Sequence, residues 1–332
     1  MKTHRSVARI MLLLAVSLAL MAGAAATPVS LAAPVDFPTR PITFVVGFSP
    51  GGGADVFARA LAEAARTVLP QPIVVENRPG AGGTAANAYA TGRPADGYTL
   101  LFAHAGSSII TPLIANQPGL KWDAFDPIAR IHAEEEWLFV HPDAPWRTVE
   151  ELVAFAKANP RRVRVAGSAI GGIDSFVVLQ WEKAAGIDVE YIPHEGGGPA
   201  TLAFLGRNAE MLVGNVSEVF QHVQAGRMRP FAVASERRSP IFPNVPTLKE
   251  KGADVVFVQW RSVLAPSGTP SSRIAALAYA FQKALDADSW KRFNANTQAV
   301  DVYLGPLDFY RFLTAEEARF ARIIDELGLR PR

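Results

Sequence analysis

The sequence predicts an α/β protein with two lobes of parallel or mixed sheet, flanked by helices and separated by a cleft. Three observations predict it: β-strand and helix patterns alternate through the chain, glycine-rich loops stand at strand-to-helix junctions, and the chain is long and apolar enough for two lobes. It has 332 residues, 49% of them hydrophobic and 19% charged, so a full core is within reach. Regular β-α-β alternation places helices on the faces of a sheet built mainly from parallel strands.

The first segment stands apart. Lys2, Arg5 and Arg9 precede the apolar run IMLLLAVSLALMAGAAA, which is short for a membrane span and ends in small residues. It reads as a secretory leader, with cleavage after Ala24, Ala26 or Ala32. Its removal takes the formal charge from +2 to about −1. No basic run points to nucleic acid. The absence of cysteine excludes disulfides, thiolate catalysis and zinc–thiolate centres. An exported, monomeric protein stabilised by its core alone fits, and it is expected to work in the periplasm.

The elements follow in order. ITFVVGF reads as a strand, and ADVFARALAEAARTVL as a helix with Val56, Ala60, Leu61, Ala64 and Val68 on its apolar face. PIVVEN is a strand, RPGAGG a loop and TAANAYAT a short helix. Asp96-Gly97 turns into the strand YTLLFAH. WLFVH is a strand, and Thr148 with Glu151 three residues on forms a capping box for LVAFAKAN. RVRVAG, VEYIP, AEMLVGN and MRPFAVAS are strands interleaved with the helices IDSFVVLQWEKAAG and SEVFQHVQAG. DVVFVQWRSVLAP is a long strand, and two helices end the chain. The expected division is 1–33 for the leader and mature N-terminus, 34–136 with 257–332 for the first lobe, and 137–256 for the second.

The loop GFSPGGGAD spells G-x-S-x-G from Gly47 to Gly51, the elbow that presents a nucleophilic serine. A secreted serine hydrolase using Ser49 is the alternative it raises. That elbow takes an oxyanion donor from the N–H after the serine, and here the residue is Pro50, which has none. Loss of such a donor slows catalysis about 100- to 1000-fold. The loop also lacks the lysine of a phosphate-binding P-loop and the third glycine of a dinucleotide fingerprint. What it does offer is three glycines, Gly51, Gly52 and Gly53, whose N–H groups open a helix and so attract an anion. Ser49 adds a hydroxyl; Asp55 either caps the loop or touches a ligand. Similar loops occur at Gly80–Gly83, at Ser168–Ser175 and at Gly196–Gly198. Ligands of open parallel sheets bind beyond the strands' carboxyl ends, where these loops lie.

The ordered segments FPTRPITFVVGFSPGGGADVFARALA, VVENRPGAGGTAAN, ADGYTLL, FDPIARI, TVEELVAFAKANP, GGGPATLAFLGRNAE, AGRMRPFAVASERRSP, NVPTLKEKG and APSGTP resemble the Bug family, extracytoplasmic solute receptors of tripartite tricarboxylate transporters. The resemblance covers nearly all of the mature chain. It implies a type II-like periplasmic binding protein that closes on a small carboxylate and hands it to a membrane permease, with no catalytic residue, cofactor or metal. It also implies ligand contacts from Ser49, Gly51, Gly52, Gly53, Ser168, Gly171 and Gly172, with Ala81 and Gly82 of the PGAGG loop at the cleft. Ser107, Asp55 and Asn215 complete the expected set. The chain has His194-Glu195 where many members have Tyr-Lys, Ala169 where many have glycine and Ser175 where many have histidine, so citrate-like specificity does not carry over.

Acidic residues stand at the expected strand and loop ends: Glu134, Glu135, Glu136, Asp174, Glu195 and Glu218. Glu135 and Asp174 are the candidates to meet an ammonium or hydroxyl on the ligand. Trp137 and Trp260 either floor the cleft or pack in the core. The histidines show no metal-ligand spacing.

Overall fold

The computed structural model describes residues 36–330; the leader lies outside the described residues. Residues 37–330 hold ten strands, β1 (Ile42–Val46), β2 (Ile73–Asn77), β3 (Thr99–Ala103), β4 (Phe125–Val140), β5 (Arg164–Gly167), β6 (Glu190–Pro193), β7 (Met211–Asn215), β8 (Arg229–Ala234), β9 (Val258–Pro266) and β10 (Asp301–Leu304). The helices are α1 (Gly53–Ala65), α2 (Thr84–Thr91), α3 (Thr111–Ile114), α4 (Val149–Ala158), α5 (Ile173–Ala185), α6 (Gly197–Leu205), α7 (Val216–Gln224), α8 (Ser271–Ala284), α9 (Asp288–Thr297) and α10 (Pro306–Glu326). A π-helical turn, Gly106–Ile110, leads into α3.

The strands run in the order β2-β1-β3-β9-β4-β7-β5-β6, with β8 and β10 also paired to β4. The outer pairs β1–β2, β1–β3, β5–β6 and β5–β7 are parallel, whereas β3–β9, β4–β9, β4–β7, β4–β8 and β4–β10 are antiparallel. The β-α-β pattern thus builds the flanks, and two long antiparallel strands join them. β4 is the pivot of the topology. Phe125 to Glu135 pair with β9, and Glu136 to Val140 pair with β7 and β8. The sequence pattern marks only the WLFVH end as a strand. The preceding FDPIARIHAEEE contains Pro127 and four acids, yet it joins the ladder because bulges next to Pro127 and Arg130 absorb the misfit.

Three apolar clusters hold these layers. One packs Phe44, Phe57, Leu61, Leu277, Phe281 and Trp290 between β1, α1, α8 and α9. Another packs Trp137, Phe139, Phe204, Leu212 and Val219 under α6 and α7. The third and largest runs beneath β4, α5 and α10 and includes Trp181, Trp260, Phe309 and Phe320. Fully burying a side chain of this size stabilises the fold by about 1.5–3 kcal/mol. α1 buries Phe57, Ala58, Leu61, Ala64 and Ala65, while Val56 faces solvent. The buried face is therefore rotated from the sequence expectation, because Phe57 is the largest apolar group on the helix and takes the inward position. Trp137 and Trp260 are core residues; Trp260 also donates from Nε1 to Glu316 at 3.3 Å. At α4 one half of the capping box forms as read, the Glu151 N–H donating to Thr148 Oγ1 at 3.3 Å; the returning Glu151 Oε2 accepts from the Arg147 N–H at 2.6 Å, one residue before the cap.

Candidate functional site: a cavity at converging helix N-termini

The β1-to-α1 and β7-to-α7 connections, the starts of α5 and α6, and the end of β3 all meet one small cavity of about 50 Å³. At about 10–15 Å³ per water, that space holds a few waters or the polar end of a small ligand. Ser49, Gly52, Gly53, Ser168, Asp174 and Asn215 line it, all six of them residues the sequence singled out. Ala54, Phe48, Phe102, His104, Gln259 and Arg261 complete the wall with Glu218 and with Glu195, Gly196, Gly197 and Pro199. The site lies beyond the carboxyl ends of parallel strands, the place where open α/β sheets bind ligands.

Helix starts leave N–H groups without intrahelical partners. At α1 the first such bond is Val56 N–H to the Gly52 carbonyl (2.9 Å), and at α6 it is Ala200 N–H to the Gly196 carbonyl (3.2 Å). The N–H groups of Gly53, Ala54, Gly197 and Gly198 precede those bonds and have no partner among the described residues. They supply the anion-attracting ends that the glycine loops promised.

Several other loop amides are already occupied. The Gly51 N–H donates to Asp55 Oδ2 at 2.9 Å, and Arg59 Nη2 lies 2.9 Å from Asp55 Oδ1. Burial alone would raise the Asp55 carboxyl, but the hydrogen bonds from Arg59 and Gly51 outweigh it and hold the group below its ordinary range. The Ser168 N–H donates to Asp174 Oδ2 at 2.8 Å. Gly171 N–H donates to Ser175 Oγ (3.1 Å) and Gly172 N–H to the Ala169 carbonyl (2.8 Å), so neither glycine lines the cavity. Gly51 borders a larger neighbouring cavity of about 530 Å³ that shares Gly52, Gly53, Pro199, Glu218 and Arg261 with the first.

The remaining candidates lie further off. Ala81 and Gly82 form a tight turn with φ of +48° and +64°, and Gly82 packs against Thr111. Ser107 is buried beneath Gly83, and its carbonyl accepts from Asn87 Nδ2 at 2.8 Å. Glu135 lines a separate cavity with Trp137, Ser239 and Val258. Strand alternation explains this: β4 turns Glu134 and Glu136 to one face and Glu135 to the other.

Arg261, which the sequence presents only as one residue of the long strand DVVFVQWRSVLAP, is the centre of the site. It is almost fully buried on β9. Its Nη1 donates to the Gly53 carbonyl at 2.8 Å, Nε lies 3.3 Å from Glu134 Oε1, and Nη2 lies 3.3 Å from Glu218 Oε1. Glu218 reaches between two helix starts. A Cβ on Gly53 would stand 2.0 Å from its Oε1, and one on Gly197 would stand 1.7 Å from its Oε2. Glycine is required at both positions for the carboxyl group to lie there. Burial, opposed by Arg261, leaves Glu218 raised to about 7. Burial likewise raises Asp174 and pushes Glu136 well above the carboxylate range; Glu136 accepts from Asn215 Nδ2 at 3.0 Å. His104 Nδ1 accepts the Gly106 N–H at 3.0 Å, which places the ring proton on Nε2, and Nε2 has no partner among the described residues. Burial, helped by Arg261, lowers this imidazole to about 3, so it faces the cavity as a neutral donor.

A mixed α/β sheet system whose helix starts converge on one cavity with free N–H donors defines a ligand-binding protein of the periplasmic-receptor fold class. The profile of the tripartite tricarboxylate transporter family receptor matches residues 57–329, and the chain belongs to that family. It is 32% identical to protein BugT of Bordetella pertussis over 305 residues, 90% of this chain and 93% of that one. Its fold matches the periplasmic binding protein BugD with a TM-score of 0.82 at 26% identity, over 89% of this chain and 100% of the other. It also matches Rpa4515 of R. palustris with adipate, with a TM-score of 0.83 at 28% identity, over 90% of this chain and 100% of that one.

Proposed function

We propose that the protein is a periplasmic receptor that captures a small carboxylate, leaves it unaltered and delivers it to the permease of a tripartite tricarboxylate transporter. The observation that carries this reading is the set of free N–H groups at Gly53, Ala54 and Gly197, on residues that line one cavity with the His104 donor. The family membership and the adipate held by a relative of the same fold support it. Ligand contacts are assigned to Ser49, Gly52, Gly53, Ser168, Asp174 and Asn215, with His104 and Arg261 added.

The two-lobe reading, 34–136 with 257–332 against 137–256, is supported by the change of pairing partner in β4 between Glu135 and Glu136. Monomeric action in the periplasm after loss of the leader completes the proposal. Among the described residues no helix is long and apolar enough to cross a membrane. The hydrolase alternative finds no support: Pro50 lacks the oxyanion N–H, and His104 shares the cavity with Ser49 but makes no hydrogen bond to it and is too weak a base at neutral pH. A thermal-shift series with succinate, malate, adipate and citrate tests the proposal. A ligand of the folded state raises the melting temperature with concentration; no shift with any carboxylate, or release of product from an ester, overturns it.

A further inference from the structure

We propose that Glu218 makes ligand capture proton-linked: its own carboxyl group sits where the starts of α1 and α6 meet Arg261, so a ligand carboxylate enters together with one proton. The inference rests on the carboxylate reading above and concerns the charge that the same site accepts.

The geometry is that of a resident anion. The Glu218 carboxyl fits between the Cα atoms of Gly53 and Gly197, touching positions where no Cβ has room. It borders both the inner cavity and the larger one beside it. Its surroundings are short of positive charge. From β9 it faces Arg261, which is shared with Glu134 of β4 and with the Gly53 carbonyl. From α5 it faces Asp174, and from β4 the acids Glu134 and Glu136. The Ser217 hydroxyl beside it on α7 also lies 3.4 Å from Arg261 Nη2, and His104 of the β3 end is neutral. Glu195 stands at the exposed rim.

One guanidinium therefore serves several buried acids. A carboxylate arriving among them adds a like charge where water is scarce, and like charges disfavour joint ionisation. The proton comes from solvent and goes to the Glu218 carboxylate, leaving a neutral acid beside the bound anion. Glu218 is better placed for this than its neighbours. Asp174 is committed to the Ser168 N–H, and Glu136 does not border the cavity. At neutral pH the group already stands near its midpoint, about 7, so protonation requires little work.

The test is isothermal titration of succinate into the protein in two buffers of different ionisation enthalpy, from pH 7 to 9, where the probe is a dianion. Uptake of about half to one proton and an affinity falling by up to about tenfold per pH unit are expected. Glu218→Gln is expected to bind with no proton uptake and no slope, and Glu218→Asp to keep both. Zero uptake in the wild type overturns the inference, as does a wild-type slope in Glu218→Gln. If Glu218→Gln fails to fold by circular dichroism, the wild-type proton count and the Glu218→Asp slope decide. Tight binding without a proton overturns this inference alone. The absence of binding by every carboxylate at pH 5.5 and at pH 8 overturns the receptor reading with it.

Discussion

The loops GGGAD and GGIDS are near copies, each a glycine pair opening a helix with an aspartate in its first turn, yet they produce opposite chemistry. Asp55 and Asp174 are both buried, and each accepts a backbone N–H from its own loop, Gly51 in one case and Ser168 in the other. Asp55 has Arg59 one turn further along α1 and is held below the usual carboxylate range. Asp174 has no cation on α5 near it, and burial raises it. Heavier burial at Asp174 and the Arg59 partner at Asp55 thus separate a carboxylate that fastens a loop from one that keeps its charge at issue inside the cavity.

The comparison breaks most visibly at Arg261, the guanidinium that the second loop borrows from β9. Arg261→Met leaves Glu134 and Glu218 buried without a counter-charge, and removing one partner of a buried pair costs about 3–5 kcal/mol. The loss is expected in full at pH 8 and to shrink toward pH 5, where the Glu218 carboxyl takes up a proton. Urea denaturation at the two pH values checks it; an equal loss at both would show that packing, not charge, is what Arg261 supplies.

A smaller effect follows from the buried acids and the buried imidazole together. Glu218 is raised from 4.5 to about 7, so its favourable contribution is complete below pH 4.5 and is lost as pH rises toward 7. His104 is lowered from 6.5 to about 3, so its contribution is present above 6.5 and lost as pH falls toward 3. The two limbs oppose each other across pH 4.5–6.5. His104→Phe is expected to remove the acid limb and raise the melting temperature at pH 5 relative to pH 8, as differential scanning calorimetry would register.

Finer still is the pair of swaps Asp55→Asn and Asp174→Asn. The first gives up an ion pair whose arginine is half exposed and is expected to cost about 1 kcal/mol at pH 7, less below pH 3.8. The second relieves a buried acid and is expected to leave stability unchanged or slightly higher at pH 8. The same sign for both would erase the distinction between the loops. The mildest change, Arg59→Ala, would turn the first loop into the second, and an upward drift of the Asp55 titration followed by NMR is the expected outcome.

How much of this was legible in the sequence follows from distance along the chain. Glycines before helices, the Thr148 cap and the strand alternation are local, and they located Ser49, Gly53, Ser168 and Asp174. Arg261 contacts the Gly53 carbonyl across 208 positions, and no local pattern announces such a meeting. The three adjacent glutamates show the same limit on a smaller scale. Without knowing that β4 extends back through Pro127, the face that each one takes is undetermined; in the structure Glu134 reaches Arg261 and Glu135 lines a separate cavity. His104 read as an ordinary histidine because the tautomer depends on the Gly106 amide in the π-helical turn.

β4 serves two ladders with one uninterrupted backbone. The step from Glu135 to Glu136 is the point at which that backbone leaves the β9 ladder and enters the β7 and β8 ladders. Severing the chain there by circular permutation would leave the two ladders joined by the second crossing before β9 and by the core in which Phe176 of α5 meets Phe320 of α10.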